Sequence, residues 1–165
     1  MIILGIDPGS AIAGYAVLNK KGAGTDNIEV IDFGCITTDK FLPAGERLEK
    51  TYKEIFKIIE KYKPNLVSVE SLYFFKNMKT IIPVGQAKGV ILLAVSQNKI
   101  PVLEFTPLQV KMTIAGYGRA EKKQIQKMIE QTLDLKKFDM KKNNRKKDDA
   151  FDALGVALCA AFKSY

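Results

Sequence analysis

Residues 1–19 read MIILGIDPGSAIAGYAVLN, and the fold turns on Ile6-Asp7-Pro8-Gly9-Ser10 within them. Residues 1–6 are almost wholly apolar and rich in β-branched side chains, the pattern of a buried central strand. A carboxylate ends that strand, and Pro8-Gly9 then forces a sharp turn. A buried carboxylate is costly unless something compensates it, so Asp7 calls for a partner.

Working outward, residues 2–6, 14–18 and 28–37 read as three strands joined by short Gly/Asn/Asp-rich connections, an antiparallel meander. Residues 43–62 carry Leu48, Tyr52, Ile55, Phe56 and Ile59 at helical spacing, with charges on the other face. Pro64-Asn65 ends that helix, and residues 66–69 form a fourth strand that stops at Glu70. A loop of aromatic and basic residues, SLYFFKNMK, follows. A second helix spans 80–97, with Pro83 near its first turn. Residues 102–105 make a fifth strand and 107–114 a short helix. After a break at residues 116–118, a helix resumes over 120–133. A basic stretch, KKFDMKKNNRKK, leads to a last helix over 148–162. There is no internal repeat and no domain-sized linker, so residues 1–165 are expected to form one domain. A meander followed by alternating helices and strands implies an α/β fold, with a five-stranded mixed sheet and helices on both faces.

Composition narrows the chemistry. A chain of 165 residues that is 47% hydrophobic has the material for a substantial core. Its longest apolar run, around 90–95, falls far short of the roughly 18 residues that span a bilayer. No signal peptide is evident, and Cys35 and Cys159 sit in apolar patterns as buried thiols, so a reducing cytoplasm is expected. The net charge of +8 fits a polyanionic partner. The absence of histidine excludes a Ser-His-Asp triad, a Cys-His dyad and any histidine-containing zinc site. Two cysteines cannot build an all-cysteine zinc site. Polar chemistry must rest on carboxylates, lysines, hydroxyls or hard metal ions.

Carboxylates stand where such chemistry is built. In open α/β sheets, sites form at the carboxyl ends of strands, and Asp7 and Glu70 each close one. If their strands are parallel neighbours, the two acids face each other and need a shared proton or a divalent cation. The last helix opens Asp148-Asp149-Ala150-Phe151-Asp152. At about 100° per residue, Asp149 with Asp152, or equally Asp148 with Asp152, presents two carboxylates on one face. Acids in a first turn also complement the helix dipole, which accounts for Asp148 or Asp149 better than for Asp152. Four such acids supply only oxygen ligands, the donor set of Mg²⁺ or Mn²⁺. Paired Mg²⁺ ions serve phosphodiester cleavage, one activating water and the other stabilising the leaving 3′ oxygen.

GIDPGS, VES after the fourth strand, GQAKGV, QVKMTIAGYGRAEKKQIQ and DDAFDALGVAL together resemble the RuvC-type Holliday-junction resolvases. The blocks run in order from residue 3 to about 160. The resemblance implies a ribonuclease H-like fold and a homodimeric endonuclease that nicks opposed strands of a four-way DNA junction. It implies Mg²⁺ as cofactor, two per site, with Mn²⁺ as a substitute. The catalytic and metal-binding acids it implies are Asp7, Glu70, Asp149 and Asp152. A branch-migration helicase complex is a further candidate partner. Some family members place a histidine beside the metals; this chain has none.

Several residues suggest DNA contact. Tyr73 and Phe74 follow Glu70 closely, where an aromatic ring can stack on an unpaired base for roughly 1–3 kcal/mol. The family pattern places Tyr73 in the stacking position. Lys111, Arg119 and Lys122 flank the break at 116–118 and can hold phosphates or offset developing charge. Residues 136–147 hold seven basic side chains and lead into the acidic helix, which favours phosphate contact over a merely solvated loop. The helix at 80–97 is apolar on most sides, and the family reading puts it at a two-fold interface. A different ribonuclease H-like nuclease, acting on RNA or non-junction DNA, is the alternative. A nucleotide-binding lobe of the actin or sugar-kinase type needs a second lobe for which this length leaves no room.

Overall fold

Strand β1 (Ile2–Asp7) occupies the middle of a five-stranded sheet in a computed structural model that describes residues 1–22, 27–71, 78–145 and 147–163. The strand order is β3-β2-β1-β4-β5. Strands β2 (Ile12–Lys20) and β3 (Ile28–Thr37) form the expected antiparallel meander with β1. Strands β4 (Leu66–Glu70) and β5 (Val102–Phe105) run parallel to β1. A parallel neighbour needs a crossover, and helices α1 (Ala44–Tyr62) and α2 (Met78–Gln97) supply two of them. Helix α3 (Pro107–Ala115), helix α4 (Lys122–Thr132) and helix α5 (Asp148–Lys163) complete the chain.

Each sheet face carries its own core, because side chains alternate along a strand. On β1, Leu4 and Ile6 pack with Ile55, Ile59, Ile91 and Val95 of α1 and α2. Ile3 faces the other way, into a core built on Val110, Ile129 and the buried length of α5. Cys35 and Cys159 are both buried and unpaired in that second core. Among the described residues no helix is long and apolar enough to cross a membrane.

The elements match the expected ones apart from their ends. Helix α4 begins two residues later than the apolar pattern suggests, because Glu121 caps it through a reciprocal capping box with Gln124. Thr106 and Gln109 cap α3 in the same way. Helix α2 begins two residues earlier than expected, which places Pro83 inside the helix and past its first turn.

Helix α5 lies directly on β1 and β2. A Cβ on Gly5 would sit 2.6 Å from the Ala157 Cβ, and one on Gly14 would collide with the Asp149 carbonyl. These two glycines, facing the small residues Ala153 and Ala157, let helix backbone touch strand backbone. At the far end of the helix, the Lys20 ammonium donates to the Ala161 carbonyl at 2.6 Å. Gly14→Ala should therefore destabilise the protein by roughly 2 kcal/mol or more, as overpacking does where backbone cannot yield. Gly45→Ala, which adds a methyl to open space on α1, should be neutral or stabilising by up to about 1 kcal/mol. Urea unfolding of both variants checks the contrast.

Candidate active site

Strand geometry aims the acids at α5. Residues 3, 5 and 7 of β1 share one face, so Asp7 points the same way as Ile3 and Gly5, toward the helix. Strands β1 and β4 pair in parallel through Ile6 and Val69, which sets Asp7 and Glu70 side by side at the sheet's carboxyl edge. Asp7 pairs on its other side with Gly14, the residue against which the Asp149 backbone rests. The turn that follows Asp7 is fixed as well. Arg47 of α1 donates to the Ser10 carbonyl, and the Thr38 hydroxyl donates to the same oxygen at 3.2 Å. Gly9 leaves no room for a Cβ against the Ile12 carbonyl.

The electrostatics show which acids converge. The Asp7 carboxyl is held well above the ordinary carboxylate range, first by burial and then by the negative charges of Glu70, Asp152 and Asp149. It also shares a hydrogen bond with Glu70, a contact that favours its protonated form. Burial likewise raises Asp152, against the pull of Lys122. Lys122, on the first turn of α4, donates to Asp152 at 2.8 Å and lies 3.5 Å from Asp148. Burial disfavours its ammonium, but the hydrogen bond and charge of Asp152 outweigh this, and its pKa is raised.

Helical spacing alone allows Asp148 or Asp149 as the partner of Asp152. The two differ in where the sheet places them. Asp149 is half-buried above Gly14 and acts on Asp7, whereas Asp148 is exposed and accepts from Gln126 of α4 at 3.0 Å. The structure thus brings Asp7, Glu70, Asp149 and Asp152 to one place and adds Lys122. Lys111, half-buried on α3, and Arg119, exposed before α4, form no ion pair among the described residues. Tyr73 and Phe74 lie outside the described residues.

Three features escaped the sequence reading. Arg145, within the basic stretch, is 6% exposed and ion-paired to Asp32 at 2.6 Å, so that stretch is neither wholly solvated nor wholly free for phosphate. Lys137 of the same stretch pairs with Glu29. Behind Glu70, Ser71 donates to Glu104 of β5, which also takes a hydrogen bond from Lys88 of α2. Glycines inside strands were the available signal for the α5 contact; the Arg145 anchor gave none within a run of lysines.

The family model for the crossover junction endodeoxyribonuclease RuvC matches residues 3–160. The chain belongs to the RuvC family. A crossover junction endodeoxyribonuclease RuvC from Thermosipho melanesiensis is 49% identical over 164 residues, covering 99% of each chain. The structure of Thermus thermophilus RuvC in complex with a Holliday junction substrate superposes with a TM-score of 0.86 at 30% identity. That match covers 98% of this chain and 93% of the other. The yeast mitochondrial Holliday junction resolvase Ydc2 shares the fold, with a TM-score of 0.68 at 14% identity, over 97% of this chain and 78% of its own. This RuvC-family chain therefore has the ribonuclease H-like architecture that its sequence suggests.

The donor set fits a hard divalent cation. All four acids offer only oxygen; their crowding shifts Asp7 toward its protonated form, and the Lys122 ammonium sits on Asp152. Among the described residues, three acids do not already close around one point as ready-made ligands. Lys122 holds Asp152 instead. The shifted Asp7 gives a measurable sign. The folded protein binds the Asp7 proton more tightly than the unfolded chain does, so without metal its stability should rise as pH falls through the raised pKa. Asp7→Asn imitates the protonated acid; it should lose that part of the slope and be the more stable form at about pH 8. Thermal melts of both proteins in EDTA across the range of about pH 5–8 check this, and identical slopes would contradict it.

Proposed function

We propose that this chain resolves four-way DNA junctions by paired, metal-dependent phosphodiester hydrolysis, serving recombination and DNA repair. The observation that carries the reading is the meeting of Asp7, Glu70, Asp149 and Asp152, from three elements, in a chain that matches the junction-endonuclease family over 3–160. Asp7 and Glu70 are set by strands, and Asp149 and Asp152 by a helix whose backbone rests directly on Gly14. These four would hold Mg²⁺ or Mn²⁺, two ions per site. A bound divalent cation supplies Lewis acidity for the attacking water and the leaving 3′ oxygen. The protein's own task is positional: it keeps Asp7 and Glu70 side by side at the sheet edge and sets Asp149 and Asp152 opposite them. Lys122 keeps an ammonium at 2.8 Å from Asp152, within reach of a phosphate seated beside that acid. Lys111, Arg119 and the remaining lysines of residues 136–147 would hold flanking phosphates, and Tyr73 or Phe74 would stack on unpaired bases.

A junction with two-fold symmetry calls for a two-fold dimer. Helix α2 supports one. Ile82 and Leu93 are 70% and 51% exposed, and with Gly89 they form a stripe along its outer side. The helicase partner and a cytoplasmic setting belong to the same proposal.

Cleavage of a synthetic four-way junction, a linear duplex and an RNA–DNA hybrid, with and without Mg²⁺, tests the reading. Only the junction is expected to be nicked, and only with metal; preference for duplex or hybrid would overturn it. Asp149→Ala should lower the cleavage rate at least 100-fold, while Asp148→Ala should lower it less than about tenfold, since only the former faces Asp7. Asp7→Asn should abolish cleavage and leave junction binding intact. Leu93→Arg should yield monomers by sedimentation and uncouple the paired nicks.

A further inference from the structure

Behind the acidic centre, on the outer edge of the sheet, lies a second charged cluster. Arg145 stands three residues before α5, in a stretch whose other basic residues are mostly exposed. Every nitrogen of its guanidinium is engaged. Nε donates to the Phe33 carbonyl at 3.0 Å, Nη1 to the Asp139 carbonyl at 3.1 Å, and Nη2 to Asp32 Oδ1 at 2.6 Å. Its plane packs against the rings of Phe33 and Phe138, whose own centroids lie 5.3 Å apart. Asp32 is equally occupied. Its Oδ2 accepts from Tyr62 at 2.8 Å and from Tyr15 at 3.2 Å, and its Oδ1 accepts from the Phe33 amide at 2.9 Å. Burial alone would raise the Asp32 carboxyl, but the Arg145 and Tyr62 hydrogen bonds outweigh it and keep the acid ionised.

The cluster is joined to the start of α5 by short links. Asn143 and Asn144 both adopt the left-handed conformation, with φ of 55° and 54°, which asparagine tolerates better than other side chains. This turn presses the Asn143 backbone onto Gly34 of β3, where a Cβ would sit 2.7 Å from the Asn143 Cβ. The Lys147 amide then donates to the Asn144 carbonyl at 3.0 Å, and the Ala150 amide donates to the Lys147 carbonyl at 3.1 Å. Phe33, under the guanidinium, meets Phe151 of α5 edge-on at 6.4 Å. Phe151 lies between the two helix acids in sequence.

A force is present for such an anchor to resist. Asp149 and Asp152 face Asp7 and Glu70 across the site, so without a cation the repulsion among these acids works against the seating of the first turn of α5. We propose that the Asp32–Arg145 pair is a positioning pair for the acidic centre. It staples the turn before α5 to β3, and so holds Asp149 and Asp152 opposite Asp7 for the cation. The proposal rests on the acidic centre being the metal site of the preceding section. Arginine is needed because one planar fork reaches a carboxylate and two carbonyls at once, which a lysine ammonium cannot.

The test compares Arg145→Lys, Asp32→Asn, their combination and Tyr62→Phe with the parent protein at 25 °C. Mn²⁺ binding to the DNA-free protein is followed by electron paramagnetic resonance, junction binding is measured in EDTA, and folding is followed by thermal melts. Removing an outer partner of a metal ligand typically weakens affinity 10–100-fold, and this pair acts one step farther out. Arg145→Lys and Asp32→Asn should therefore raise half-saturating Mn²⁺ by roughly three- to tenfold. Junction affinity in EDTA should stay within about twofold, and the double variant should be no worse than the weaker single one. Tyr62→Phe, which removes one hydrogen bond from Asp32, should shift Mn²⁺ binding in the same direction by less, and it carries the test if Arg145→Lys does not fold. Lower melting temperatures with unchanged Mn²⁺ affinity would reduce the pair to a stability element and overturn the proposal. Loss of junction affinity with unchanged Mn²⁺ binding would also overturn it, by making Arg145 a DNA contact. Asp7→Asn is the control that separates the two readings. If it binds Mn²⁺ as the parent does, the acidic centre itself is wrong. If it loses Mn²⁺ while Arg145→Lys does not, only the staple is.

Discussion

The contact of α5 with β1 and β2 governs the molecule. A helix ordinarily rests about 10 Å from a sheet, separated by a layer of side chains. Here Gly5 and Gly14 remove that layer under the first half of the helix, and Ala153 and Ala157 present little more than a methyl to it. Glycine within a strand is destabilising by roughly 0.5–1 kcal/mol relative to alanine, so the close approach is maintained against local preference. Its consequence is geometric. Two acids near the end of the chain descend to the level of the sheet edge, where β1 and β4 already hold Asp7 and Glu70. A bulkier side chain at residue 14 would lift Asp149 away from Asp7.

The same closeness creates the electrostatic problem that defines the site. Four carboxylates in one desolvated region repel, and the molecule offers three responses. Asp7 is shifted toward its protonated form and shares a hydrogen bond with Glu70; the Lys122 ammonium pairs with Asp152; and on the far edge the Asp32–Arg145 pair holds the start of α5. The first two are replaceable by a divalent cation, because each is a positive charge lent to a carboxylate. The third is not, since its charges are spent on one another. Function and strain share an origin here, as is common where ionisable groups are gathered for chemistry.

Much of this was legible in the residues. Apolar runs, helical spacing and the turn residues between them marked all five strands and all five helices, and strand-terminal acids marked the sheet edge as the site. Helix geometry left Asp148 and Asp149 open, because about 100° per residue pairs either with Asp152; the family resemblance pointed to Asp149, whose backbone β2 meets at Gly14. The staple was hidden for a different reason. Arg145 sits among lysines, and composition treats the whole run as one solvated, phosphate-seeking stretch, although burial singles it out. Its partner Asp32 stands more than a hundred residues away, on β3 at the edge of the sheet. Lys122 was read as a phosphate contact; its hydrogen bond to Asp152 could emerge only when α4 and α5 were seen side by side. End effects account for remaining differences such as the start of α4, which Glu121 sets through capping.

The central claim is that α5, pressed onto Gly14, delivers Asp149 and Asp152 to the same cation site as Asp7 and Glu70. A crystal structure of the protein grown with Mn²⁺, with anomalous difference maps at the manganese edge, tests it most directly. Anomalous density is expected to be bounded by Asp7 and by Asp149 or Asp152, with Lys122 withdrawn from Asp152 and Asp148 left outside. Density coordinated by Asp148 in place of Asp149, or manganese bound only away from Asp7, would contradict it.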